Sequence, residues 1–518
     1  MESDELPSAE RVPLGIPGLD PILEGGLLRG GVYFVQGSPG SGKTILGNQV
    51  CFAHATSGGQ AVYVTLLAES HQRMLAHMRR MTFFRTDLVP DRVSYISGFR
   101  VLEAEGLSAL LTLLRKEMAA RAATLLVLDG LLTAEEAATS PVEYRKFIHE
   151  LQIVASMMGC TVLLLASTRT TRPFQPEHTM VDGIIEMGDE LRRLRSVRYL
   201  MVHKLRGAAP VRGRHTVRIT DDGIVVHPRF ETLSTGAIEG DKKARGAAPR
   251  KGFGVAELDR MMNGGVPARS MTMVLGPTGV GKTTLGLQFL AEGARHGEKG
   301  LLFGFFEQPR ALLEKSGRIE LGLQEAHEQG LVELIWRAPV EGIIDILGHD
   351  LLAAVRRTGA TRLFLDGVQG FYGTVDDPER LREFFSALSE ELAGLDVTTV
   401  YSMETDDLFG PRIEVPMRGM SPITQNVLLL RHVEANARLF RMLTVLKVRD
   451  SEHDNRLREF RITSRGIELA DTFEDTSEAM TGTVHQAPEP AARRNGSKRS
   501  SPRKRPPPSR PRPRARKR

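Results

Sequence analysis

The chain repeats itself once, and this internal duplication constrains its architecture more than any other feature. Residues 15–20 and 37–44 recur as residues 254–259 and 276–283, so both pairs are related by the same shift of 239 positions. Later landmarks keep this register with small gaps. Because solenoid repeats are only ~20–50 residues long, a period of this length indicates two whole domains in tandem.

Within each half, short apolar runs alternate with longer amphipathic segments. Strands are predicted in the first half at 31–36, 61–66, 124–129 and 161–167, and helices at 44–55 and 141–158. In the second half, strands are predicted at 272–275, 300–305, 362–366 and 398–402. Near-continuous apolar strands separated by helices indicate an α/β fold with a mostly parallel sheet that is covered on both faces. Residues 197–226 are predicted to form a strand, a turn and a strand at an antiparallel edge.

Shifts in composition predict the domain boundaries. The two domains are predicted at 1–232 and 252–475, with a linker at 233–251 that has little apolar content. Residues 476–518 are rich in Pro, Arg and Lys and cannot form a packed core, so they are predicted to be a disordered basic tail. Residues 491–518 alone carry a charge of +13, so the net +6 of the chain leaves −7 on the rest.

The composition also excludes several classes of protein. The chain has 518 residues, of which 41% are hydrophobic and 25% charged, and this is an ordinary globular balance. Two cysteines are too few for a disulfide scaffold, and they are predicted to be buried thiols. The N-terminus lacks a secretory signal, and the apolar runs are far shorter than the ~20 residues of a membrane span. We therefore expect a cytoplasmic protein that does not bind a membrane.

Both halves contain the motif G-x-x-x-x-G-K-[ST] between a predicted strand and a predicted helix. The N–H groups of such a loop surround phosphate oxygens, its lysine reaches the β- and γ-phosphates, and its hydroxyl reaches magnesium. A chance glycine loop would have to arise twice in register to explain the pattern. The predicted ATP-binding residues are Gly37, Ser38, Pro39, Gly40, Ser41, Gly42, Lys43 and Thr44, and Gly276, Pro277, Thr278, Gly279, Val280, Gly281, Lys282 and Thr283.

An aspartate ends an apolar run in each half, at Asp129 and at Asp366. A carboxylate at the carboxyl end of a buried strand beside a phosphate loop can complete the shell of a Mg²⁺ ion. Either aspartate alone would be better explained as a helix cap, but its occurrence in both halves favours a metal-binding role. The predicted Mg²⁺ residues are Thr44, Asp129, Thr283 and Asp366.

ATP hydrolysis also requires a group that orients or deprotonates the attacking water. Glu69 and Glu307 each follow the second predicted strand of their half, about 25 residues beyond the loop lysine. Ligands of doubly wound sheets bind at the carboxyl ends of strands, so both carboxylates are candidates for this role. Spacing alone leaves open a second interpretation, in which both are solvated surface residues.

Taken together, these features resemble the KaiC family of RecA-type ATPases over roughly residues 12–475. They are Pro-Gly-Leu-Asp, paired glycines, a phosphate loop and a glutamate-bearing second strand, in duplicate. The resemblance implies two tandem RecA-like P-loop domains in a homo-oligomeric ring, expected to be a hexamer. Family members carry Lys-x-Arg near the end of each half. In their rings, these residues reach the nucleotide of the neighbouring subunit. This implies catalytic roles for Lys204, Arg206, Lys447 and Arg449, which would otherwise be interpreted as solvated edge residues.

The chain departs from the family pattern near the predicted catalytic glutamates. Members usually carry two adjacent glutamates after the second strand. The corresponding pairs here are Ala68-Glu69, shifted by one inserted residue, and Phe306-Glu307. Each domain therefore keeps one carboxylate. The lost first glutamate is the one that the resemblance implies as the base for autokinase chemistry.

A second departure concerns phosphorylation. The clock members of the family phosphorylate an adjacent Ser-Thr pair, which falls here on Ser421-Pro422. Proline has no hydroxyl, so Ser421 remains as the candidate phosphoacceptor and a two-site cycle is excluded. The basic tail stands where the clock members have a partner-binding segment.

Three functions follow from these observations. The first is a Mg²⁺-dependent ATPase that signals conformationally to an unidentified protein partner, with weak Ser/Thr autokinase activity still open. The second is a RecA- or RadA-like motor that holds nucleic acid non-specifically through the basic tail. The third is a scaffold that binds ATP with little turnover. We rank them in this order, because only the tail is strongly basic and no Cys-x-x-Cys element occurs.

Overall fold

The computed structural model describes residues 10–67, 71–167, 179–192, 195–233, 249–338, 342–375, 377–405, 423–435, 438–449 and 451–470. The predictions for Glu69, for Ser421 and for the tail at 476–518 lie outside these ranges. Within them, no helix combines the length and the apolar character that crossing a bilayer requires.

The first half contains six α-helices and eleven strands among these residues. The helices are α1 (Leu19–Ile22), α2 (Lys43–Thr56), α3 (His71–Met78), α4 (Phe99–Ala120), α5 (Leu131–Ala137) and α6 (Pro141–Met158). The strands are β1 (Arg11–Val12), β2 (Leu27–Leu28), β3 (Val32–Gly37), β4 (Ala61–Thr65), β5 (Val93–Ser97), β6 (Leu125–Asp129), β7 (Thr161–Ser167), β8 (Gly183–Arg192), β9 (Arg195–Leu205), β10 (His215–Thr220) and β11 (Gly223–His227).

The second half repeats this order of strands in the part that the structure describes, with small differences in the helices between them. Its helices are α7 (Ala256–Met261), α8 (Lys282–Arg295), α9 (Pro309–Arg318), α10 (Leu323–Glu328), α11 (Ile344–Thr358) and α12 (Pro378–Gly394). Its strands are β12 (Arg250–Lys251), β13 (Val266–Pro267), β14 (Met271–Gly276), β15 (Gly300–Gly304), β16 (Val332–Trp336), β17 (Arg362–Asp366), β18 (Thr398–Glu404), β19 (Asn426–Ala435), β20 (Arg438–Val448), β21 (Arg458–Thr463) and β22 (Gly466–Leu469).

A nine-stranded sheet forms the centre of each half. The strand orders are β11-β10-β9-β8-β3-β7-β6-β4-β5 and β16-β15-β17-β18-β14-β19-β20-β21-β22. In the first sheet, strands from β8 to β5 pair in parallel, and β8 to β11 continue as antiparallel hairpins. The second sheet pairs in the same way. The predicted fold class, two tandem and mostly parallel sheets with flanking helices, is confirmed.

Some elements differ from the expectation. The segment 197–226, expected to form two strands, contributes to three: β9, β10 and β11. Strand β12 lies inside the segment predicted as the linker and pairs with β13. Because β12 has only two residues, both polar, its pairing partner decides its conformation and composition does not reveal it.

The central strands are buried on both faces. Every residue of β3, β6, β14 and β17 is buried, which explains why their sequences are mostly apolar. Separate apolar cores cover the two faces of each sheet. The predicted buried thiols, Cys51 and Cys160, are both free and lie in the two cores of the first half.

A buried joint connects the two halves. The residue Phe230, in a short 3₁₀ helix that ends the first half, packs into the core of the second half, 4.7 Å from Phe384 between ring centroids. Asp345 on α11 is 1% exposed and accepts hydrogen bonds from Thr216 Oγ1 at 3.0 Å and from the Phe230 amide at 3.1 Å. Arg380 on α12 donates to the same carboxylate at 2.6 Å. One buried carboxylate therefore accepts donors from both halves.

Removing this carboxylate should destabilise the joint. We expect Asp345→Ala to cost about 3–5 kcal/mol, since it leaves a guanidinium, a hydroxyl and an amide without their shared acceptor. A matched control is Asp350→Ala on the same helix, whose partly exposed pair with Arg337 at 3.4 Å is worth about 0–1 kcal/mol. Thermal unfolding followed by circular dichroism measures both variants. Equal decreases in melting temperature would contradict the role of Asp345.

Candidate active sites

Each phosphate loop begins where the central strand of its sheet ends. At Gly37, the last residue of β3, an added Cβ would lie 1.9 Å from the carbonyl oxygen of Met187. At Gly276, the last residue of β14, it would lie 2.3 Å from that of Leu430. The backbone of the neighbouring strand thus leaves room only for glycine. The helices α2 and α8 begin directly at the loop lysines, so their first N–H groups face the loop.

The two loop lysines adopt the same arrangement. Lys43 Nζ donates hydrogen bonds to the carbonyl oxygens of the first two loop residues at 2.8 and 2.9 Å. Lys282 Nζ donates to the corresponding oxygens, both at 2.7 Å. Burial lowers the pKa of both ammonium groups, and nearby carboxylates, Asp129 in one domain and Glu404 with Asp366 in the other, oppose this change. Largely buried cations of this kind are suited to a polyphosphate, whose charge compensates for their desolvation.

The predicted hydroxyl and carboxylate residues lie together in both domains. Thr44 Oγ1 donates to Asp129 Oδ2 at 2.9 Å. Thr283 Oγ1 lies 3.2 and 3.1 Å from the two carboxylate oxygens of Asp366. Burial raises the pKa of Asp366, while hydrogen bonds from Ser402 and Thr283 oppose the increase. Each pair joins the first turn of the loop helix to a strand that is separated from the loop strand by one other strand.

These pairs fit a Mg²⁺ ion. Mg²⁺ keeps several waters and binds through one or two protein oxygens together with substrate phosphates. In the part of the chain that is described, no three His, Cys, Asp or Glu side chains gather into a larger metal cluster. The first site also opens into a cavity of about 390 Å³, whose lining includes Lys43, Thr44, Asp129, Glu136 and Ser167.

The predicted catalytic glutamate of the second domain lies near its strand-end aspartate. Glu307 follows β15, and its side chain is 38% exposed and pairs with Lys315 on α9 at 3.2 Å. Its charge also contributes to the raised pKa of Asp366, so the two carboxylates are electrostatically coupled. The carboxylate is therefore both accessible and near the pair of Thr283 and Asp366.

Apolar side chains lie beside the aspartates of both domains. A Cβ added at Gly130 would lie 2.9 Å from Leu67, and one at Gly367 would lie 2.5 Å from Phe306. These glycines directly follow the two aspartates, so Leu67 is the structural counterpart of Phe306. The sequence pattern pairs Ala68 with Phe306 and Glu69 with Glu307. This pairing is wrong by one residue, because Thr65 and Gly304 occupy the same position opposite the two aspartates, which the residues alone do not reveal.

The Lys-x-Arg residues lie at the other end of the sheet. Lys204 pairs with Ile184 near the start of β8, whereas the phosphate loop follows the end of the parallel strand β3. Its Nζ donates to the Thr179 carbonyl at 2.9 Å, and Arg206 pairs with Asp182 at 3.3 Å. The structure does not bring these residues to the phosphate loop of their own domain.

The second domain places its Lys-x-Arg residues in the same way. Lys447 pairs with Val427, near the start of β19, and its Nζ donates to the Thr424 carbonyl at 2.9 Å. The Arg449 amide donates to the carbonyl of Gln425 at 3.0 Å.

Two residues that contact the aspartates were missed by sequence reasoning. Tyr63 OH donates to Asp129 Oδ2 at 2.7 Å, and Ser402 Oγ donates to Asp366 Oδ1 at 2.8 Å. Burial raises the pKa of Tyr63 well above its usual range, and the charge of Asp129 raises it further, so the phenol keeps its proton. Both residues lie in apolar strands and resemble ordinary core residues. Only the strand order, which sets β4 and β18 beside the aspartate strands, could have identified them.

The fold and these two sites define a tandem P-loop ATPase. A sequence model of the family described as "ATPase: KaiC" matches residues 12–231 and 252–474, which is most of the chain. The chain therefore belongs to the KaiC ATPase family.

Several curated proteins are similar to the chain over most of its length. The circadian clock oscillator protein KaiC of Picosynechococcus sp. is 25% identical over 482 residues, which cover 90% of this chain and 91% of that protein. The protein of the same name from Nostoc sp. is 26% identical over 495 residues, 92% of each chain. KaiC 1 of Synechocystis sp. is 24% identical over 487 residues, again 92% of each. The similarity thus includes both domains.

Each loop lysine should serve only its own domain. We expect the unaltered chain to bind two ATP molecules, and Lys43→Ala and Lys282→Ala each to bind one, because each ammonium contacts a different loop. Isothermal titration calorimetry measures the stoichiometry. Lys146→Ala, which removes an exposed lysine on α6 that pairs with Glu150 at 3.7 Å, is the control and should retain both sites. A stoichiometry of one for the unaltered chain would contradict the prediction.

Proposed function

We propose that this chain is a Mg²⁺-dependent ATPase that turns over ATP in both domains and transmits the resulting conformational change to a protein partner. The observation that carries the proposal is the repeated geometry of the two sites. In both, a lysine lies on the loop and a threonine hydroxyl lies about 3 Å from a strand-end carboxylate. Because both loops have this geometry, it supports the binding of one ATP molecule in each domain.

The residues of each site have distinct tasks in this proposal. Lys43 and Lys282 compensate the charge of the β- and γ-phosphates, and the loop N–H groups orient them. Thr44 and Thr283, with Asp129 and Asp366, hold Mg²⁺, which when bound neutralises charge that develops on the phosphate oxygens.

Glu307 orients or deprotonates the attacking water in the second domain, and we assign Glu69 the same task in the first. The exposure of Glu307 and its electrostatic coupling to Asp366 support its role. Glu69 follows Lys43 by 26 residues and Glu307 follows Lys282 by 25, and this near-equal spacing supports the role of Glu69.

We further propose that the active form is a homo-oligomeric ring, a hexamer by analogy with the family. The Lys-x-Arg residues Lys204, Arg206, Lys447 and Arg449 support it. They lie at the end of the sheet opposite to their own phosphate loop, and this place suits contact with the nucleotide of a neighbouring subunit. A guanidinium there would stabilise charge on the transferring phosphoryl group.

Autophosphorylation is a minor activity in this proposal. The similar proteins are named as clock oscillators, but Pro422 removes one hydroxyl of the acceptor pair and Ser421 remains as the acceptor. Phe306 and Leu67, which lie against Gly367 and Gly130, cannot act as bases. The output is therefore conformational, to a signalling partner whose identity the chain does not specify.

Non-specific binding of nucleic acid is the second candidate function, and the charge distribution favours it. Residues 491–518 carry +13 against −7 on the remaining chain. Such a segment binds a polyanion by releasing its counterions, and it needs no defined structure to do so.

Glu307→Gln should separate ATP binding from hydrolysis. In a Lys43→Ala background, which isolates the second site, we expect unchanged ATP binding and hydrolysis that is slower by about 10²–10⁴-fold, because the amide cannot accept a proton. Glu314→Gln on α9, where Glu314 is paired with Arg310 on the surface at 3.0 Å, is the matched control. Phosphate release measures turnover. Turnover equal to that of the control would show that Glu307 is a surface residue, and absence of turnover in the background itself would favour the scaffold.

A truncation after Pro490 tests the nucleic-acid function. We expect the truncated chain to retain its ATPase activity and to lose duplex DNA binding. For the full chain, the logarithm of the binding constant should fall with the logarithm of salt concentration, with a slope of about −0.9 per neutralised phosphate. Fluorescence anisotropy of labelled DNA measures both chains. If affinity and salt slope are the same in the two chains, the DNA contact lies outside the tail.

A further inference from the structure

The two strand-end aspartates are held by donors from opposite sides. Asp129 Oδ2 accepts from the phenol of Tyr63 on β4 at 2.7 Å, whereas Asp366 Oδ1 accepts from the hydroxyl of Ser402 on β18 at 2.8 Å. Strand β4 lies on one side of β6, and β18 lies on the other side of β17. The equivalent donor is therefore delivered from a different strand in each domain.

The strand registers show that this is an exchange of residues. Tyr63 corresponds to Leu302, since they pair with Val127 and Phe364 at the same distance from the aspartates. Leu165 pairs directly with Asp129 on the β7 side, the position that Ser402 occupies in the second domain. Each domain thus has one polar donor and one leucine beside its aspartate. The donor is on β4 and the leucine on β7 in the first domain, whereas the leucine is on β15 and the donor on β18 in the second.

In the first domain, further polar groups connect Tyr63 to the helix of the phosphate loop. The ring of Tyr63 packs on that of Tyr95 with centroids 5.5 Å apart. Tyr95 OH donates to Asn48 Oδ1, and Asn48 Nδ2 donates to the carbonyl of Thr44, both at 2.8 Å. Because Thr44 donates to Asp129, the contacts form a closed ring of five residues. The ring contains Asp129, Tyr63, Tyr95, Asn48 and Thr44.

The second domain has an apolar counterpart of this ring. By strand register and by the shift of 239 residues, Leu302, Leu334 and Leu287 take the places of Tyr63, Tyr95 and Asn48. All three leucines are buried in one core. The polar ring is therefore specific to the first domain, although the Thr–Asp pair is common to both.

We propose that Tyr63 is a positioning residue of the first site, where its hydrogen bond orients the Asp129 carboxylate toward Mg²⁺. In the second site, the hydrogen bond from Ser402 orients the Asp366 carboxylate in the same way. The proposal rests on the proposed function, since it concerns the Mg²⁺ of the ATP sites. A buried hydrogen bond to a carboxylate is strong, and partners that orient metal-binding carboxylates change metal affinity about 10–100-fold when removed. Because Tyr63 is fully buried, it acts through Asp129 and does not contact the nucleotide.

The test removes one oxygen atom from the first site. In a Lys282→Ala background, the binding of a fluorescent N-methylanthraniloyl ATP is titrated with Mg²⁺, and phosphate release is measured in parallel. We expect Tyr63→Phe to raise the Mg²⁺ concentration for half-maximal binding about tenfold or more, with nucleotide binding in EDTA unchanged. Tyr33→Phe, which removes a buried phenol bonded to the Leu28 carbonyl at 3.2 Å, is the control and should leave the Mg²⁺ dependence unchanged.

A rescue experiment distinguishes orientation from packing. Leu165→Ser in the Tyr63→Phe chain places a hydroxyl beside Asp129 from the β7 side, as Ser402 is placed in the second domain. We expect it to restore the Mg²⁺ dependence at least in part, which a purely structural role of Tyr63 would not allow.

The outcomes separate this inference from the proposed function. If Tyr63→Phe and Tyr33→Phe give the same Mg²⁺ dependence as the background, Tyr63 has no positioning role, while the ATP sites stand. If the Lys282→Ala chain binds nucleotide with Mg²⁺ but does not hydrolyse it, the proposed ATPase activity of the first site is wrong. The binding titration then still decides the role of Tyr63. If the background shows no Mg²⁺-dependent binding, both proposals are overturned.

Discussion

The hydrogen bond between a loop threonine and a strand-end aspartate is the interaction around which each domain is organised. It joins the first turn of α2 or α8 to a strand that is not adjacent to the loop strand. This contact forms only when the parallel strands run in one register, since a shift of one residue would turn Asp129 or Asp366 to the other face. The sheet, its buried strands and the covering helices together hold these two groups about 3 Å apart.

The duplicated domains keep this interaction but support it differently. The first domain surrounds Asp129 with a ring that includes Tyr63 and Asn48, while the second uses Ser402 among leucines. Buried donors are usually hydrogen-bonded, and each domain places one donor beside its aspartate and a leucine at the other of the two positions. The joint at Asp345 follows the same rule, because donors from both halves share one buried carboxylate.

Much of the fold and part of the site could be predicted from the residues. Apolar runs located the central strands because strands buried on both faces consist mainly of apolar residues. The phosphate loops and Asp129 and Asp366 were located by motif and by position at a strand end, and the structure brings each aspartate to the threonine of its loop. The tasks assigned to them remain predictions, as do those of Glu69, Glu307 and the Lys-x-Arg residues.

The duplication, the α/β class and the phosphate-loop motifs can be predicted from the chain alone, because each depends on local pattern and spacing. Which side chains meet across strands depends on the folded sheet. Nothing near Tyr63 in the chain distinguishes it from a core residue, and its partner Asp129 is 66 positions away. Likewise, Leu67 is the counterpart of Phe306 because each lies against the glycine that follows the aspartate, and spacing along the chain does not reveal this. Contacts between distant segments depend on strand order and register, which packing of the whole sheet sets.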